Sequence, residues 1–315
     1  MNGIEAVTFK DSQGFTLFGM LERPAPENDR KTGVILLSPG IKMRVAPHRL
    51  YNKLSAKMVS QGYTVLRFDF YGLGDAEGSL EEEFLADLYG TVQVGRYIDD
   101  TRCAISWLTE HSGIKDVVLA GLCGGAVTGL LAAQGDDRVK GLFALGIPVI
   151  LDSSNVDTSK YLTGGQLDRL HQGYLKRALS LKSWFRLLTF RSDYRVIFKI
   201  IKRKFGIKED SAASSDNQAE NTEPDNTNPL FAPAFFDLVQ SGKKILLVFS
   251  GADRLSWEFD EKFRHRHAAR LEEYSALIEE HMIENANHIV SQTEWQEDLL
   301  TVSTDWLTRN FKASR

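Results

Sequence analysis

Two cysteines, seven histidines and a few well-placed aspartates are the groups in this chain that could carry out covalent chemistry. Of the thiols, Cys123 stands in Gly121-Leu122-Cys123-Gly124-Gly125. This motif lies between an apolar run, DVVLAG (116–121), and a run of small residues, AVTGLLAA, that suits a helix. A strand that turns sharply into a helix lifts the side chain at the bend above the sheet. Glycine at 121 and 125 leaves room for that bend, where side chains would collide. The start of the helix would bring N–H groups and the positive end of a dipole to residue 123, which favours thiolate over thiol. The chemistry implied is nucleophilic attack on an acyl carbonyl. Two plainer readings compete with it. Cysteine is a small residue often buried in glycine-rich turns. Such turns can also cradle phosphate, although G-x-C-G-G has neither the G-x-G-x-x-G pattern nor a Walker lysine.

A thiol nucleophile wants a base. His288 lies in Glu284-Asn-Ala-Asn-His288, after the last expected strand and just before the final helix. His281 is expected in a strand end, His111 at a helix end, and His265 and His267 in a charged helix beside Arg264 and Arg266, all surface or structural positions. His48, near the 39–47 loop, is a minor candidate. Asp253 follows the apolar run KKILLVFS (243–250) through Gly251-Ala252 and could orient the base. A loop aspartate is otherwise a common turn former. The chain order is then Cys123, Asp253, His288, the order that goes with a nucleophile on a strand-to-helix bend of this kind. Two backbone donors would complete the site. One is the N–H of Gly124. The other comes from the loop after GVILLSPG (33–40) and is assigned to Ile41. Pro39-Gly40 also ends a strand, and one turn can serve both purposes.

These residues need a scaffold, and the hydrophobic pattern supplies one. Ile4 to Phe9, a turn at 11–14, and Phe15 to Leu21 read as an antiparallel hairpin. GVILLSPG, TVLRFDF (64–70), DVVLAG, VKGLFALGI (139–147) and KKILLVFS are continuous apolar runs, as expected of strands covered on both faces. Helices are expected between them: from Pro47 to Gln61, within Gly90–His111, from Gly124 to Gln134, and near Trp257–Arg270. A strand at SALIEE (275–280) and a helix near Thr293–Asn310 close the pattern. Alternation of this kind predicts parallel βαβ units and an α/β fold with a mostly parallel central sheet.

Residues 148 to about 232 break the alternation. Lys160 to Lys208 holds 13 Lys/Arg against two acids, Asp168 and Asp193, and Ile197, Ile200 and Ile201 recur at helical spacing. Glu209 to Pro229 is rich in Ser, Asn, Asp, Glu and Pro and has no Lys or Arg. The expected organisation is a core made of 1–147 and 233–315, a helical cap over 148–208, and an acidic flexible linker over 209–232.

Composition limits the alternatives. At 315 residues, 43% hydrophobic and 25% charged, the chain can bury a large core, and its net charge of −4 gives no reason to expect nucleic-acid binding. Two cysteines are too few for a secreted disulfide framework, and neither has zinc-site spacing. No signal peptide and no stretch approaching about 18 apolar residues is visible. The expectation is a soluble cytoplasmic protein with free thiols and no metal or organic cofactor.

With these pieces assembled, the chain resembles the α/β-hydrolase superfamily over nearly its whole length. The likeness is carried by LLSPGI (36–41), DFYGLGDAEG (69–78), GLCGGA (121–126), and SGAD (250–253) with NANH (285–288). Within the superfamily it is similar to the serine aminopeptidase-like and exosortase-system-associated hydrolases, a group that YLKRALSLKSWFRLLTFRSDYR (174–195) also resembles. The second segment is similar to the family's Asp-x-x-Gly-x-Gly loop, which implies that Asp69 holds backbone amides of a turn. Two departures stand out. Pro39-Gly40 replaces the usual His-Gly, and Cys123 replaces the usual serine, as in dienelactone hydrolases and polyhydroxyalkanoate synthases.

A free thiol is already a few per cent ionised at neutral pH, and exchange between a thioester and a thiol is nearly balanced. The primary expectation is therefore hydrolysis of a carboxylic ester or thioester through a Cys-His-Asp triad. Acyl transfer to an amine or alcohol is a second reading, and a non-catalytic binding module that retains the fold is a third. The expected partner is a small acyl substrate, carried on coenzyme A or an acyl carrier protein. Trp184, Phe185, Phe190, Tyr194 and Phe198 could line its channel. The basic cap is also the surface that would meet an anionic membrane, if any does.

Overall fold

The computed structural model describes residues 3–82, 85–151 and 226–312. Residues 152–208 of the expected cap and most of the expected linker therefore lie outside the described residues. Eight strands form one sheet: β1 (Ile4–Lys10), β2 (Thr16–Glu22), β3 (Thr32–Leu37), β4 (Thr64–Phe68), β5 (Asp116–Leu122), β6 (Val139–Leu145), β7 (Lys244–Ser250) and β8 (Ile278–Ile283). Their spatial order is β1-β2-β4-β3-β5-β6-β7-β8. The pairs β1–β2 and β2–β4 are antiparallel, and every pairing from β4–β3 to β7–β8 is parallel. This is the mostly parallel α/β sheet that the apolar runs predict.

The helices explain why those runs are unbroken. In β3, Ile35 and Leu37 face one core with Ala104, Leu108, Ala126 and Leu130, while Val34 and Leu36 face a second core with Leu50, Leu54, Leu299 and Trp306. The first layer is built from α3 (Ile98–Ser112), α4 (Gly124–Ala132) and α5 (Phe231–Gln240), and the second from α1 (Leu50–Ser60) and α8 (Thr293–Asn310). A strand covered on both sides has no position left for a polar residue, so alternation disappears. Among the described residues the remaining α-helices are α2 (Leu85–Gln93), α6 (Arg254–Phe259) and α7 (Ala268–Glu273).

Three boundaries differ from expectation. The helix expected from Pro47 begins at Leu50, because His48 and Arg49 hold left-handed backbone conformations (φ 55° and 56°) that turn the chain into it. Pro47 instead opens a short 3₁₀ turn. The helix expected near 257–270 starts earlier and is interrupted. A wide π turn at Asp260–Arg264 and a 3₁₀ turn at His265–His267 separate α6 from α7. The last residues of the expected linker, 226–232, are packed. Thr227 bridges Ile150 in antiparallel fashion, Leu151 N–H donates to Asn226 O (3.0 Å), and Asn228 N–H donates to Val149 O (2.8 Å). The Asn228 side chain, 2% exposed, donates to Gln93 O (2.7 Å), so its amide is satisfied inside the core rather than by water. Among the described residues no helix is long and apolar enough to cross a membrane.

Candidate active site

The bend after β5 places Cys123 at the C-terminal edge of the sheet, where parallel strands leave a crevice. Its backbone, at φ 56° and ψ −118°, is strained for a residue with a side chain. The neighbours show why the flanking residues are glycine. A Cβ at Gly121 would lie 2.3 Å from the Gly125 carbonyl carbon, and one at Gly125 would lie 2.5 Å from Leu37 O. Side chains at either position would collide with backbone, and backbone cannot swing aside. Cys123 itself is half-buried.

His288 arrives on the loop after β8, and Asp253 on the turn after β7. The Nδ1–H of His288 donates to Asp253 Oδ2 at 2.7 Å. The other carboxylate oxygen accepts weakly from Leu255 N–H (3.4 Å), which caps α6 and orients the carboxylate. With Nδ1 committed to Asp253, Nε2 is the ring nitrogen left free, and the imidazole is electrostatically coupled to Cys123. Burial pulls the imidazole pKa down, but the hydrogen bonds to Asp253 and Cys123 and the charges of both outweigh it, and the pKa rises to about 10. Asp253 and Cys123 thus both favour the protonated ring. Gly146, at φ 54°, lies beneath the pair. A Cβ there would touch Asp253 Oδ2 at 3.6 Å and His288 Nδ1 at 3.8 Å.

Among the described residues, the other histidines are engaged elsewhere or exposed. His281 contacts both carboxylate oxygens of Asp298 at 3.0 Å. His111 stacks on Trp107 and bonds its carbonyl. His267 packs against Phe236 and Phe263, and burial lowers its pKa, as do Arg270 and Arg266. His48 is exposed.

The loop carrying Ile41 is held against the nucleophile turn. Gly40, at φ 59°, meets Gly124 so closely that a Cβ on Gly124 would lie 2.7 Å from Gly40 Cα. Val92 and Tyr89 of α2 close the other side. Among the described residues, neither the Ile41 nor the Gly124 N–H has another acceptor. Asp69, fully buried, fixes the loop beyond Ile41: it accepts from Arg44 N–H (2.6 Å), from the Arg44 guanidinium, and from Asp75 N–H (3.1 Å). A Cβ at Gly74 would lie 2.2 Å from the Asp69 carboxylate. Arg44 also pairs with Asp75 and stacks over Phe18. Asp69 thus holds the turn, as its motif implies. The sequence reading did not single out Gly146, Arg44 or Tyr51, whose hydroxyl bonds Leu37 O and Leu122 N–H.

What this arrangement can do chemically is attack an electrophilic carbonyl from sulfur, with a proton store beside it. Among the described residues no group of three His, Cys, Asp or Glu side chains could hold a metal ion.

A family model described as "Alpha/beta hydrolase family" matches residues 35–300. Among solved structures, the chain is similar to the Pyrococcus furiosus esterase Pf2001, at 16% identity and a TM-score of 0.61, covering 98% of this chain and 93% of that one. It is similar to XC6422 from Xanthomonas campestris, described as an a/b serine hydrolase without lid, at 14% identity and a TM-score of 0.53, covering 99% and 96%. It is also similar to the alpha/beta hydrolase GrgF from Penicillium sp. sh18, at 19% identity and a TM-score of 0.54, covering 98% and 99%. A search of curated proteins finds no match.

Proposed function

Since the chain belongs to the alpha/beta hydrolase family, we propose that it hydrolyses a carboxylic ester or thioester through Cys123, His288 and Asp253. One observation carries this reading: His288 bonds Asp253 at 2.7 Å while its imidazole is electrostatically coupled to Cys123 at the strained bend.

The steps follow from the charges. Cys123 passes its proton to His288, and Asp253 supports the resulting ion pair from behind. The sulfur attacks the acyl carbon, and the carbonyl oxygen takes up negative charge between the N–H groups of Gly124 and Ile41. Collapse of the intermediate forms an acyl-thioester on Cys123 and breaks the bond to the leaving group. That group takes its proton from His288 Nε2. Water, deprotonated by the now neutral imidazole, then attacks the acyl-enzyme and releases the acid and the thiolate.

Cysteine in place of serine favours a thioester donor, because exchange of one thioester for another is close to thermoneutral. Coenzyme A or an acyl carrier protein is the matching carrier class. The test is to follow free-thiol release from a series of acyl-coenzyme A thioesters and phenolate release from matching esters. Turnover by the wild type that is lost in Cys123→Ala supports the reading. Equal turnover in that variant removes it.

A further inference from the structure

β3 and β5 part company at the site. Their last ladder pairing is Leu37 with Gly121. Beyond it, β3 turns off into Ser38-Pro39-Gly40-Ile41, and β5 contributes one more residue, Leu122, before the bend at Cys123. A side chain from α1 fills the gap. The Tyr51 hydroxyl donates to Leu37 O at 2.8 Å and accepts from Leu122 N–H at 2.8 Å. The direction is forced, since a carbonyl can only accept and an amide N–H can only donate. The ring is 2% exposed and packed among Leu50, Leu54 and Leu122. Burial raises the phenol pKa, the bond from Leu122 N–H opposes this, and the nearby charge of Cys123 raises it further.

One oxygen therefore ties the strand leading into the Ile41 loop to the strand leading into the nucleophile. Two further contacts converge on the same point. Ser38 Oγ–H donates to Phe68 O at 2.7 Å, fixing β3 from its other side. The first turn of α4 rests on the Leu37 and Ser38 carbonyls, the atoms a Cβ at Gly125 would strike. The donors at Ile41 and Gly124 each lie a few residues past an atom that the Tyr51 hydroxyl holds.

We infer that Tyr51 is a positioning residue that sets the spacing of the two oxyanion donors, Ile41 N–H and Gly124 N–H, without touching substrate. The inference rests on the acyl chemistry proposed above. It predicts a specific division of effects, because oxyanion donors must meet the developing charge within a few tenths of an ångström.

Tyr51→Phe keeps the ring and removes one oxygen. Iodoacetamide alkylates Cys123 by displacing iodide and develops no oxyanion, so it reports the thiol and His288 alone. Acylation by p-nitrophenyl butyrate passes through a tetrahedral oxyanion. The expected result is alkylation within about twofold of wild type, acylation slowed about tenfold or more, and little change in KM. Unchanged acylation overturns the inference, as does an equal loss in both reactions, which would place the defect in the thiol. A wild type that is alkylated but never acylated removes the acyl reading, and this inference with it. Should Tyr51→Phe fail to fold, NMR of the wild type decides. A slowly exchanging Tyr51 hydroxyl proton with a cross-peak to Leu122 N–H supports the bridge, and a fast-exchanging one overturns it.

Discussion

His288 Nδ1 and Asp253 Oδ2 stand 2.7 Å apart, although 35 residues separate them in the chain. The backbone brings their two loops together. Ala252 N–H donates to Ala286 O (2.9 Å), and Gly251 N–H donates to Ile283 O (3.0 Å). On the far side, Gln296 of α8 donates to Val290 O (2.8 Å) and is itself held by Lys53 of α1. The imidazole therefore rides on a loop anchored at both ends to regular structure.

Asp253→Asn should keep this geometry and lose the charge that supports the imidazolium. Acyl turnover is expected to fall by on the order of 10²- to 10⁴-fold, as for other triads that lose their carboxylate. Steady-state kcat/KM, with thermal melting to show that the fold persists, checks this. A variant with near wild-type turnover would mean that Asp253 only caps α6.

The raised pKa of His288 fixes the sign of a pH effect. The folded state holds this proton to about pH 10, whereas the unfolded imidazole releases it near its ordinary 6.5. The stabilisation from the charged ring is thus fully present below about 6.5 and is lost as pH rises through about 10. In urea denaturation, the stability gap between wild type and His288→Gln should shrink across that window. A gap constant from pH 6 to 11 would contradict the assignment.

The two cysteines should react unequally. Cys103 lies on α3, and its thiol pKa is pushed up by burial and then by Asp100, Asp11 and Asp99. In the proposed mechanism Cys123 faces the His288 imidazolium. At neutral pH, limiting iodoacetamide should modify Cys123 first, with Cys103 lagging about tenfold or more. Peptide mapping reads the ratio. Equal labelling, or labelling of Cys103 first, would remove the electrostatic argument.

The legible parts of this molecule are those in which residue type and chain order both carry information. Buried strands such as β3 and β7 announce themselves as apolar runs, and Gly121-Leu-Cys-Gly-Gly125 as a bend with no space for side chains. Asp253 and His288 are legible because each directly follows a strand in a parallel sheet, and such strand ends converge at one edge. Tyr51 is not legible. With Leu50, Leu54 and Met58 it makes an ordinary apolar helix face, and only coordinates show its hydroxyl between two strands. Asn226-Thr-Asn228 reads as linker because its side chains are polar, yet Asn228 bonds the Gln93 carbonyl and the Leu230 N–H inside the fold, and Arg266 donates to Thr227. The start of α1 was displaced by left-handed residues at 48 and 49, which no residue preference at those positions announces.

The most direct test is the intact mass of the protein after brief exposure to an acyl-coenzyme A thioester. A gain of one acyl group, mapped to Cys123 and absent from Cys123→Ala, is the result this account predicts. An adduct that persists in Cys123→Ala, or none from any chain length while iodoacetamide still labels Cys123, would contradict it.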